Sequence, residues 1–150
     1  MKAAVQLLAF CAVCASGSAF GQQLYPVQGP ATAKVPPPRI TASPHGSYAG
    51  KISVAEEGGE SFQGKWSSTV ASFANVKAAG SPASFPPQPN LAFAWDAVFG
   101  QGYFVANVLG YGIGQATLTG DHGTVLQLEF LNTRFGVAVD NKGNIYKMVW

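Results

Sequence analysis

From residue 46 the chain alternates apolar and polar positions. Tyr48, Gly50, Ile52 and Val54 interleave with Ser47, Ala49, Lys51 and Ser53, the period of a half-buried strand. A polar turn, Glu56-Glu57-Gly58-Gly59-Glu60, follows. Phe62, Gly64, Trp66, Ser68 and Val70 then interleave with Ser61, Gln63, Lys65, Ser67 and Thr69. The two runs predict a hairpin with Tyr48, Ile52, Phe62 and Trp66 on its apolar face. The same period returns at 115–119, 124–130, 135–139 and 145–150, with Leu126, Leu128 and Phe130 on one face of the second of these. Glycine-bearing turns at 120–123 and 140–144 join them in pairs, and connections this short favour antiparallel neighbours.

Between these runs the spacing changes. Leu91, Trp95, Val98 and Phe99 fall at i, i+4, i+7 and i+8, with Asn90 placed to cap and Gly100 to stop a short helix. Residues 100–114 (GQGYFVANVLGYGIG) admit two readings. As a core strand, Tyr103, Val105, Leu109, Tyr111 and Ile113 share a face with Asn107, and Phe104, Ala106 and Val108 share the other. As a membrane helix, Gly102, Ala106, Gly110 and Gly114 supply small residues at four-residue spacing. A span over 91–113 would carry Asp96, Gln101 and Asn107 into hydrocarbon, so the core strand is preferred.

The pattern predicts a mainly β domain over 46–150. It is an antiparallel meander, a small sandwich or partly open barrel of six or seven strands, with one short helix. The alternation of Tyr146, Met148 and Trp150 also suits the last strand of an outer-membrane barrel. That architecture needs at least eight strands of about ten residues, more than this chain is expected to supply.

What precedes the domain has another character. Residues 22–45 hold six of the ten prolines, Pro26, Pro30, Pro36, Pro37, Pro38 and Pro44. Proline fixes φ and removes a donor, so this stretch is expected to be an extended linker. Residues 1–21 read as a secretory leader: Lys2, an apolar run over 3–13 too short to span a bilayer, then small residues. Ala19 and Gly21 suit cleavage before Gln22, and Gly17 and Ala19 suit cleavage after Ala19. Cys11 and Cys14 are the only cysteines and lie in the leader, so a Cys-x-x-Cys redox pair would leave with it. Localisation is therefore expected to be periplasmic or secreted.

Three segments resemble the C-terminal half of small exported proteobacterial proteins of unassigned function. They are Gly114-x-Ala116-x-Leu118, Gly123-x-x-Leu126-x-Leu128-x-Phe130 and Asp140-Asn141-x-Gly143-x-x-Tyr146. The resemblance implies export and names no activity.

Charge and chemistry narrow the function by exclusion. Net charge is +2, one less once Lys2 is removed, without a basic run or face, which argues against nucleic acid. Asp121-His122 has the chemistry for a metal or acid–base site but lacks a third ligand at a recognisable spacing, and it reads as a solvated turn. Glu56, Glu57 and Glu60 read as hairpin-loop charges. Asp96, set among Leu91, Phe93, Trp95 and Phe99, must pair, face water or titrate upward, and exposure on the helix's outer face is the default expectation. No nucleophile elbow or dinucleotide fingerprint is present, and no cofactor is expected. The candidate functional positions are thus Trp95, Asp96, Tyr103, Tyr111, Asp121 and His122. The expected role is a non-enzymatic envelope module that binds an envelope protein or a small apolar ligand. A membrane-associated protein using 100–114 is the alternative, and an enzyme without a recognisable motif the third possibility.

Overall fold

A computed structural model describes residues 23–33, 39–44, 48–56, 58–71, 91–132 and 134–149. Residues 1–21, where a leader is expected, and Asn90 lie outside the described residues. Eight strands follow one another round a single antiparallel sheet: β1 (Gln23–Gln28), β2 (Arg39–Pro44), β3 (Ala49–Ala55), β4 (Ser61–Val70), β5 (Gly112–Gly120), β6 (Val125–Leu131), β7 (Phe135–Asp140) and β8 (Ile145–Val149). Each pairs with the next, and β8 returns to pair with β1 from Gln23↔Val149 to Gln28↔Ile145. The sheet thus curls into a barrel. Its sparsest seam is β1–β2, joined by one pair of partners, Gln23↔Arg39.

The mainly β antiparallel meander expected from the alternation is what the chain forms, and the barrel is the form it takes. Alternation dictates this geometry, because a curled sheet sends every second side chain inward. Ile52, Val54, Phe62, Trp66, Leu118, Leu126, Leu128, Phe130, Tyr146 and Met148 form the interior. One ring of Cα partners reads Trp66, Ala116, Leu128, Ala138 and Tyr146, large against small in turn. That alternation is how a narrow barrel fills without voids. Trp66 meets the Phe130 ring edge-on at 5.3 Å, and Gly114 lies beneath that ring, where a methyl group would overlap its carbons.

A second apolar layer covers the barrel from outside. Helices α1 (Ala92–Phe99) and α2 (Tyr103–Asn107) pack across the outer faces of the C-terminal strands. Leu91, Ala94, Trp95, Phe104 and Val108 bury themselves against Ile113, Leu131, Val137, Val139 and Ile145. Strands β6 and β7 are consequently buried on both faces. The outer faces of β3 and β4 are polar, with Lys51 and Lys65 directly opposed and exposed. On this hairpin, an apolar inner face behind a polar, lysine-bearing outer face is the reverse of a lipid-facing wall.

Four expectations are corrected. Residues 22–45 are not a free linker: β1 and β2 lie there, and Leu24 points into the core. The strands among the described residues therefore number eight. The core strand expected at 100–114 is instead α2, a turn and the first residues of β5. Gly100 (φ 113°) and Gly102 (φ 79°) take positive-φ conformations, the second left-handed, that end α1 and open a new helix. Leu91 occupies the α1 N-cap position without a side-chain cap. Tyr48 does not join the hairpin's buried face; it precedes β3 and is exposed. Ile52, Phe62 and Trp66 are buried as expected.

Candidate functional site

Three of the candidate residues meet in the helical layer. Trp95 is fully buried, and its ring stacks nearly parallel to Tyr103 at 6.2 Å and against Phe99 at 5.6 Å. Phe99 and Tyr103 stack at 4.8 Å, and Phe135 of β7 meets Trp95 and Phe99 edge-on. The Lys147 ammonium stands 5.4 Å from the Phe99 ring centre. Helical spacing on α1 places Trp95 and Phe99 on one face, and the break at 100–102 turns Tyr103 back onto them.

Asp96 pairs, one of the three outcomes open to an acid in so apolar a stretch. Its Oδ2 accepts the Gly102 amide at 3.1 Å and its Oδ1 the Phe104 amide at 2.9 Å. Both amides belong to the start of α2, where free N–H groups favour a carboxylate. Asp96 is therefore the brace that joins the two helices.

The remaining candidates lie elsewhere. Tyr111 is exposed just before β5. Asp121 and His122 follow that strand's other end, roughly 30 Å away at about 3.3 Å per residue. Both are solvent-exposed, with His122 Nε2 3.9 Å from Asp121 Oδ1, while that oxygen accepts the Ser61 amide at 3.1 Å. The candidates thus form a helical-layer cluster, a separate tyrosine and a turn at the far rim.

Two glutamates outside the candidate set prove more deeply engaged. Glu129 projects from the outer face of β6 and is buried beneath α1. Its Oε2 accepts Trp95 Nε1–H at 2.9 Å; its Oε1 accepts Gln115 Nε2–H at 3.1 Å and the Leu91 amide at 3.3 Å. Burial pushes this carboxyl above its ordinary value, against the lowering effect of the three donors. Alternation along β6 places Glu129 opposite Leu128 and Phe130, which in the sequence looks like a solvated face. The signal that it is covered is the apolar helix 91–99, whose docking position alternation does not give.

Glu60, expected as a loop charge, is also buried. Its Oε1 accepts the amides of His122 and Thr124, both at 2.9 Å, and the Lys142 ammonium lies 3.9 Å from Oε2. Burial pushes this carboxyl up, but the donors and Lys142 outweigh it and hold it below its ordinary value. Glu60 thereby ties the β3–β4, β5–β6 and β7–β8 turns together. Beside it Asp140 accepts the Lys142 and Asn144 amides, the Asn144 side-chain amide and the Tyr146 hydroxyl. Burial and the Asp140 charge push the Tyr146 phenol strongly upward. Asn144 Oδ1 accepts the Ala31 amide at 2.7 Å, fastening the chain after β1 to the same rim.

A cavity of about 10 Å³ opens among Leu24, Val54, Glu56, Phe62, Leu126, Asp140 and Tyr146, room for about one water. A small apolar ligand finds no seat in that cavity. Among the described residues no group of three His, Cys, Asp or Glu side chains is placed to hold a metal. No described helix is long and apolar enough to cross a membrane. Searches against family models, curated proteins and solved structures found no match to this chain.

Proposed function

We propose that this protein is an exported, non-enzymatic envelope module that works by contact through the outside of its helical layer. The observation that supports this reading is how the polar and apolar groups are used. The described inward side chains pack on one another, and Asp96, Glu129, Glu60 and Asp140 each accept several hydrogen bonds from the protein itself. Among the large apolar side chains left exposed, four gather on the layer and its border: Phe93 on α1, Val105 on α2, and Tyr111 and Val70 where the layer meets the barrel; Tyr25, Val27 and Tyr48 are exposed on the barrel itself. Large exposed side chains on neighbouring elements are a common mark of an interaction surface.

The partner in this reading is an envelope protein. A photo-crosslinking residue placed at Val105 or Tyr111, and at Lys51 on the opposite wall, tests it in cells making the full chain. Crosslinks to one envelope protein from the helical layer, absent from Lys51, support the reading. Equal crosslinking at all three positions, or recovery of uncleaved protein from the cytoplasm, overturns it. A second reading, peripheral attachment to a lipid surface, is favoured by one feature: no charged residue occurs between Asp96 and Asp121. Flotation of the purified protein with neutral phospholipid vesicles separates the two.

A further inference from the structure

We propose that Glu129 is a proton-operated latch that sets how firmly the helical layer is held on the barrel. The geometry is specific. One buried carboxylate on β6 gathers donors from three separate places: the amide at the start of α1, the indole N–H of Trp95 one turn along, and the side-chain amide of Gln115 on β5. The first two are hydrogen bonds that fasten the N-terminal half of α1 to the sheet. Most of the packing round them is apolar, so these directional bonds help to fix the position of α1.

The surroundings leave the charge uncompensated. β5 presents Gln115 to Glu129 and β7 presents Val137. Lys147 of β8 lies one strand further on, with its ammonium over Phe99. Asp96 of α1 turns its carboxylate to the amides of Gly102 and Phe104, and Tyr103 of α2 stacks on Trp95 and Phe99. A charge on Glu129 therefore meets neutral donors when α1 is docked.

The sign follows from linkage. Docked, the carboxyl sits above its ordinary value because burial disfavours the charge; undocked, it meets water and returns to that value. The docked form thus binds the proton more tightly. Acid closes the latch, and rising pH loosens it across the window between the ordinary and the raised value. Above that window the effect levels off. Opening uncovers Trp95 and the apolar outer face made by Ile113, Leu131, Val137, Val139 and Ile145.

Hydrogen exchange of the α1 amides in the full mature protein tests this, with the β3–β4 hairpin as internal reference and intrinsic rates corrected for pH. In the wild type the opening constant should rise with pH, by up to about tenfold per unit within the window, since a titrating group can do no more. In Glu129→Gln it should stay flat at the wild-type low-pH level. Trp95→Phe removes a donor that favours the charge, so its window should extend to higher pH. The Glu129 Cδ carbon, followed by NMR in the wild type, should show its inflection above the ordinary carboxylate range. A flat wild-type profile, a slope that Glu129→Gln retains, or an inflection at or below the ordinary range each overturns the proposal.

Discussion

Glu60 and Glu129 are both glutamates removed from water, and their neighbours push them in opposite directions. At Glu60 two amides and an ammonium prevail over burial, so its folded value lies below the unfolded one. Such a group lends stability that is fully present above the unfolded value and lost as pH falls through the folded one. Glu60→Gln keeps an acceptor for the His122 and Thr124 amides and removes the charge. Urea denaturation over a pH series should show a constant wild-type advantage from neutrality down to the ordinary carboxylate range. Below that range the advantage should shrink, and a gap independent of pH would mean that Glu60 contributes by shape alone. At this scale the sequence is legible only where the consequence is local. The apolar neighbours of Asp96 mark it as a position to be explained, with an exposed helix face as the default, and the partners it takes instead lie 6 and 8 residues along the chain. Glu60 finds its partners 62 and 64 residues away and Glu129 one of its own 38 away, distances no local pattern encodes.

Among the elements, the hairpin β3–β4 is where sequence and structure agree most closely. Period two assigns Trp66 and Lys65 to opposite faces, and the register places Trp66 against Ala116 inside while Lys65 faces Lys51 outside. Trp66→Ala should therefore cost about 3–5 kcal/mol, and Lys65→Ala about 0.5 kcal/mol or less, measured by equilibrium denaturation. Equal losses would refute the register. The segment 100–114 shows why other elements were less legible. Its apolar residues satisfy period two and, through Phe104 and Val108, also a helical period. The deciding feature is the backbone of Gly100 and Gly102, since glycine permits an extended run and a left-handed turn alike. Tyr48 failed for a simpler reason: alternation continued past the end of the strand, where no partner face covers it.

For the whole molecule, the question is what closes the barrel. Residues 22–45 looked like a spacer because proline cannot donate to a ladder, yet β1 and β2 are built there. Proline is tolerated at particular places: Pro26 sits beside a register irregularity in β1, next to the sparse β1–β2 seam, and Pro44 is the last residue of β2. Closure then depends on these strands. β1 covers the free edge of β8 and delivers Leu24, 1% exposed, to the interior, while Asn144 holds the Ala31 amide just beyond. Without them β8 and β3 become open edges, and the interior beside Tyr146 and Met148 loses its lining. Leu24→Ala should cost about 2–5 kcal/mol, a fall in Tm of roughly 8 °C or more for a domain of this size. Deleting residues 22–43 removes β1 and nearly all of β2, and should abolish the sharp thermal transition altogether. Circular dichroism melts of the two variants beside the wild type check both outcomes. A deletion variant that still melted cooperatively within about 5 °C of the chain that keeps residues 22–43 would show that β3–β8 and the helical layer fold on their own, with β1 and β2 only resting against them.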